Sequence, residues 1–116
     1  MRLKSGIWVS SYLRLCSAEG LAVYVARRGD ADAGAIFIKV DYLNGKTMVF
    51  APALNASNPD DVDRQWSRLT GPAPVDNERA DQAIERQVNF DPDIWVIVVE
   101  DRTGSAQLDN GMIVEL

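Results

Sequence analysis

The chain contains no histidine and a single cysteine, Cys16. Without histidine there is no ordinary general base near neutral pH, no Ser–His or Cys–His nucleophile pair, and no imidazole ligand for a transition metal. One cysteine excludes an intramolecular disulfide and a cysteine-based structural zinc site. Long hydrophobic runs are missing too, since nothing approaches the roughly 18 consecutive apolar residues of a membrane span. Basic residues number 12 against 17 acidic ones, a net charge of −5. Nucleic-acid affinity rests largely on Lys and Arg neutralising phosphates, so neither nucleic acid nor membrane is expected as a partner. Any chemistry is left to carboxylates, Arg, Lys, Tyr and Ser, and no metal or other cofactor is expected.

What is present is ordinary globular material: 116 residues, 47% hydrophobic and 25% charged. That length suits one domain over residues 1–116, burying about two-thirds of its unfolded surface. Met1 to Lys4 followed by Ile7-Trp8-Val9 hints at a secretory signal. Ser10, Ser11 and Arg14 interrupt the apolar stretch, however, and no small-residue cleavage pattern follows. A cytoplasmic location is therefore expected. Asn55-Ala56-Ser57 and Arg28-Gly29-Asp30 match a glycosylation acceptor and an adhesion tripeptide, but both need an extracellular setting and are read as chance.

Ser5 is a candidate N-cap for a helix to about Glu19, with Gly20 as its stop. Trp8, Val9, Tyr12, Leu13, Leu15 and Cys16 follow a helical period, and Cys16 reads as a small core residue. Residues 21–28 and 35–43 read as strands. Asn44-Gly45, a type I′ hairpin signal, then turns the chain into a third strand at 46–51. Residues 21–51 are thus expected to form an antiparallel meander. Asn55, Ser57, Asn58, Pro59, Asp60 and Asp61 make a turn-rich loop. Residues 64–69 alternate Trp66 with polar neighbours, as a short edge strand would, and leave Trp66 the best candidate for an exposed contact. A second helix follows, capped by Asp76 and stapled by Val75 on Ala80. Its inward stripe is Ala80, Ala83, Ile84, Gln87 and Val88, while Glu78, Arg79, Asp81, Gln82, Glu85, Arg86 and Asn89 face elsewhere. Pro92 ends it. Residues 94–99, apolar without alternation, read as a central strand covered on both faces. Asp109-Asn110-Gly111 marks a turn, and 112–116 a final edge strand or a mobile end. The expected architecture is α+β: two helices on a mostly antiparallel sheet of four to five strands, in the order helix, three strands, an optional fourth, helix, strand. Were both helices on one face, the other would keep an apolar patch of the kind that marks an oligomer or partner surface.

The run Arg27-Arg28-Gly29-Asp30-Ala31-Asp32-Ala33-Gly34, together with Phe90-Asp91-Pro92-Asp93-Ile94-Trp95 leading into Glu100-Asp101-Arg102, resembles an uncharacterised alphaproteobacterial family of short proteins, domain of unknown function 1491. The similarity extends to residues 4–9 and so over nearly the whole chain. It implies a stand-alone bacterial protein without assigned activity and carries over no catalytic residues.

The charged residues of these motifs are the candidate site: Arg27, Arg28, Asp30, Asp32, Glu100, Asp101 and Arg102. Asp30-x-Asp32-x-Gly34 is the opening of a calcium-loop pattern, but Gly34 and Ala35 break it and Asp41 stands where a bidentate Glu belongs. The element order matches a restriction-endonuclease-like core, with Asp32 and Lys39 as nearest candidates, but Phe37 occupies the place of a metal-binding acid. If the ends of the first and last strands meet, Arg27 and Arg28 pair with Glu100 and Asp101 in a bidentate cluster. The leading expectation is a non-enzymatic interaction or accessory module that binds a protein partner or self-associates. The alternative is an anion or small-ligand binder, or a carboxylate-based enzyme, metal-dependent or not, at the loop end formed by Arg27, Arg28, Asp30 and Asp32.

Overall fold

The computed structural model describes residues 3–53, 64–108 and 112–114. Helix α1, Ser5–Ala18, precedes strands β1 (Ala22–Arg27), β2 (Ile36–Asp41) and β3 (Lys46–Pro52). Two short strands, β4 (Trp66–Arg68) and β5 (Val75–Asp76), lead into helix α2 (Asn77–Phe90) and strand β6 (Trp95–Glu100). The fold is α+β, as expected, and the 64–69 segment does contain a strand. The expected turn-rich loop at 55–61, the glycosylation match and the turn at 109–111 lie outside the described residues.

Strand order is where the structure departs from the expected meander. The sheet runs β1-β6-β2-β3-β4, with β5 also on β3. β6 is inserted between β1 and β2, antiparallel to the first and parallel to the second. The sheet is therefore mixed, although its other pairings are antiparallel. The reason is burial. Residues 94–99 have apolar side chains toward both faces, so this strand is the one that needs a neighbour on each side and a layer above and below. Its residues Ile94 to Val99 are all buried.

The two helices cover opposite faces, so the bare apolar face conditioned on their sharing one does not arise. On one side Val9, Tyr12 and Cys16 of α1 pack on Ile38, Val40, Phe50, Ile97 and Val99. On the other, Ala80 belongs to a cluster with Phe37, Val49, Ile94 and Val96, against which Ile84, Val88 and Val75 pack. Among the described residues no helix is long and apolar enough to cross a membrane.

Local chemistry explains the ends of these elements. α1 closes on a Schellman arrangement: Leu21 N–H donates to Cys16 O, Gly20 N–H donates to Ser17 O, and Gly20 takes a φ of +79°. Ser5 is the first helical residue and not the cap; its hydroxyl donates to Gly34 O at 2.6 Å. Asp76 does occupy the N-cap position of α2, but its carboxylate binds Lys46 Nζ at 2.5 Å and makes no cap bond. The Lys46 hydrogen bond and charge hold that carboxyl below its usual range. The β2–β3 hairpin forms as expected, with a three-residue loop: Tyr42 N–H donates to Lys46 O, and Leu43 and Gly45 take positive φ. A type I′ turn would need Asn44 and Gly45 left-handed, so the turn type differs.

Candidate functional site

The loop after β1 is built as a structural joint. Asp30 turns its carboxylate back on its own backbone, where Oδ2 accepts from Ala33 N–H at 2.8 Å and from Asp32 N–H at 3.2 Å. This is the short-range bonding that makes Asp a turn residue. Asp30 N–H donates to Asp93 O, and Asp30 O accepts from the Trp95 indole at 2.8 Å. Gly6 N–H donates to Ala31 O, tying the start of α1 to the same loop. A Cβ on Gly29 or Gly34 would overlap the Asp93 carbonyl oxygen, so both glycines are required by close backbone approach. The motif thus locks the start of α1 and the start of β6 to the end of β1.

The expected Arg–carboxylate cluster does not form. Because β1 and β6 are antiparallel, Ala22 lies opposite Glu100 while Arg27 lies opposite Val96. The two arginines and the Glu100–Arg102 segment therefore sit at opposite ends of the sheet. Arg27 donates to Pro92 O at 2.8 Å, and the Arg28 guanidinium lies over the Trp95 ring at 5.6 Å. Asp32 forms an exposed ion pair with Lys4 at 3.6 Å. Lys39, the nuclease-pattern candidate, is paired with Asp81, and Asp41, the calcium-pattern candidate, accepts from Leu43 N–H.

Asp101 is a second joint. Only 6% exposed, it accepts from Thr103 N–H and Oγ1, Ser105 Oγ and Ala106 N–H. Burial pushes its pKa up, but the Ala106 and Thr103 bonds outweigh it, and the carboxyl titrates below its usual range. Arg102 and Thr103 beside it are exposed, and Glu100 is half-buried.

Trp66, expected as an exposed contact, is 1% exposed. It packs at 5.4 Å from Trp8, which itself stacks on Tyr12 at 4.9 Å. Polar neighbours in sequence do not set its exposure, because strand alternation directs Trp66 into the α1-side core and Ser67 to the other face. The Tyr12 hydroxyl donates to Ala106 O at 2.6 Å; burial, ahead of the nearby Cys16, holds that phenol protonated. Cys16 is fully buried, as expected, and burial raises its pKa. These aromatics border a recess of about 180 Å³.

A second recess, of about 270 Å³, lies between α2 and the residues after β4. It is lined by Leu69, Thr70, Arg79, Ala83, Arg86 and Gln87. Arg79 and Arg86 carried no functional expectation; the only sign of them in the sequence is their seven-residue spacing on one side of a helix. Among the described residues no group of three or more His, Cys, Asp or Glu could hold a metal ion.

Comparison with known proteins agrees with the motifs. A family model, the protein family of unknown function DUF1491, matches residues 3–109. A crystal structure of a DUF1491 protein from Caulobacter crescentus is 33% identical, with a TM-score of 0.78 over 99% of this chain and 100% of that one. A solution structure of a protein from A. tumefaciens is also 33% identical, with a TM-score of 0.73 over 86% of each chain. An NMR structure of a DUF1491 protein from C. crescentus is 36% identical, with a TM-score of 0.71 over 90% of each. No curated protein sequence matches the chain. The chain belongs to the DUF1491 family, whose function is unassigned.

Proposed function

We propose that this protein is a non-catalytic interaction module that self-associates through the outer edge of β1. One observation carries the reading: among the described residues β1 pairs only with β6, so its other edge presents unpaired backbone groups. An uncovered edge strand is a template for another strand. The opposite end of the sheet is treated differently, since Ile113 bridges to Trp66 and Val114 N–H donates to Trp66 O. The β1 edge is also apolar, with Tyr24 53% and Val25 37% exposed.

Its sequence suits a second copy of itself. Ala22-Val23-Tyr24-Val25-Ala26 reads the same in both directions. Antiparallel pairing about a two-fold axis at Tyr24 sets Val23 against the partner's Val25 and Tyr24 against its own counterpart, an isologous contact. Such pairing also brings the Glu19 end of one strand toward the Arg27–Arg28 end of the other, so the flanks attract. The same reading places the protein in the cytoplasm, supported by its lone, buried Cys16.

Light scattering across a concentration series tests this. The wild-type protein is expected to shift toward a dimer as concentration rises, and Val25→Lys, which sets a lysine into the shared edge, to remain monomeric with an unchanged circular dichroism spectrum. A wild-type monomer throughout, or a dimer that survives Val25→Lys and Tyr24→Lys, overturns the reading.

A further inference from the structure

We propose that the recess between α2 and the β4–β5 connection is an oxyanion-binding site, with Arg79 and Arg86 as its cationic ligands. The reading is independent of self-association through β1. On α2, residues 79, 83, 86 and 87 stand at i, i+4, i+7 and i+8, so they share one stripe of the helix. That stripe faces Leu69 and Thr70 across the recess. Ala83 at its centre is buried and small, which leaves depth between the two arginines that flank it. A larger residue at that position would fill the space.

The chemistry of the lining points one way. Its polar side chains are two guanidinium groups, the Thr70 hydroxyl and the Gln87 amide, and each can donate a hydrogen bond. Among the described residues no carboxylate lines it. The ion pairs of the described residues involve Lys4, Lys39 and Lys46. They leave Arg79 and Arg86 outside, and among the described residues neither makes a side-chain hydrogen bond. Arg79 contributes to lowering the Asp76 carboxyl only behind Lys46, which that carboxylate binds. Thr70 has only a 3.8 Å contact to the Met48 sulfur, so its hydroxyl proton is weakly held. Two guanidinium groups with no described carboxylate beside them suit a group that brings negative charge, and planar guanidinium forks match phosphate and carboxylate oxygens.

Phe90 adds a direction. It falls on the same stripe one turn past Arg86 and is 89% exposed. An oxyanion carrying an aromatic group would place that group beside an uncovered ring, which gains from stacking. The ligand class is therefore a phosphate monoester or a carboxylate, with a preference for an aryl substituent.

Two-dimensional ¹⁵N–¹H NMR titration of the intact protein with inorganic phosphate and with phenyl phosphate, at matched ionic strength, tests this. The expected result is saturable shifts at the Thr70, Ala83 and Gln87 amides and the Arg79 and Arg86 side chains, with phenyl phosphate binding more tightly. Arg79→Gln and Arg86→Gln are each expected to weaken binding roughly tenfold, the loss of one charge-assisted contact. Arg14→Gln, which alters a distant exposed arginine on α1, is expected to leave binding unchanged. Absence of saturable shifts in the wild-type protein, an equal effect of Arg14→Gln, or retained binding in Arg79→Gln/Arg86→Gln overturns the assignment. If phenyl phosphate binds no better than phosphate, or Phe90→Ser leaves its advantage intact, the aryl preference is refuted.

Discussion

At the scale of single residues, Asp101 shows how an acid that looks functional in a sequence serves the backbone. Ala106 and Gln107 adopt φ of +50° and +57°, a left-handed geometry that costs a non-glycine residue about 1–2 kcal/mol. The Asp101 carboxylate holds that turn through its bonds to Thr103, Ser105 and Ala106, and Tyr12 closes it from α1. Asp101→Asn replaces one acceptor oxygen with a donor facing N–H or O–H groups. It is expected to destabilise the protein by about 1–3 kcal/mol near neutral pH. The native pKa lies below the unfolded value of about 3.9, so the carboxylate contributes its stability above that value. The contribution is lost as pH falls through the still lower native pKa. Urea unfolding of both proteins should therefore show a gap that is constant above about pH 5 and closes in more acidic solution. A gap independent of pH would show that the charge is not what holds the turn.

At the scale of elements, the loop at 28–34 is the counterpart joint. Its composition suggested chemistry because charge and glycine crowd together, yet each glycine answers to a neighbouring carbonyl and Asp30 answers to its own loop. Gly29→Ala would drive a methyl into the Asp93 carbonyl and the Ile94 backbone. Relieving that overlap must shift the β6 entrance, at an expected cost of about 1–3 kcal/mol by analogy with overpacked cores. Denaturant titration measures it, and a stability equal to wild type would show that the loop is not a joint. The helices, the β2–β3 hairpin and the doubly buried β6 were legible because periodicity and turn chemistry act over a few residues. Arg79 and Arg86 were visible only as polar positions, since nothing in a helix's own pattern says whether its exposed stripe faces open solvent or a second wall.

At the scale of the molecule, everything depends on β6 reaching its slot. It joins β1 to β2, and its alternate residues supply both cores: Trp95, Ile97 and Val99 on the α1 side, Ile94 and Val96 on the α2 side. A fragment of residues 1–92 keeps every other described element but loses the only described partner of β1. It is expected to unfold without cooperativity and to give a poorly dispersed NMR spectrum. A cooperative transition in that fragment would show that the first three strands hold together as the meander that their order suggests.

The sequence by itself determined the α+β class, most of the element boundaries, the buried cysteine and the central, two-faced character of the last strand. These follow from short-range rules, because helical and strand periods, caps and breakers are written within a dozen residues. Tertiary structure alone decided that β6 separates β1 from β2, that the helices take opposite faces, and that the charged motifs lie at opposite ends of the sheet. Those outcomes turn on which distant surfaces bury each other best, and a pairing across seventy residues leaves no local signature.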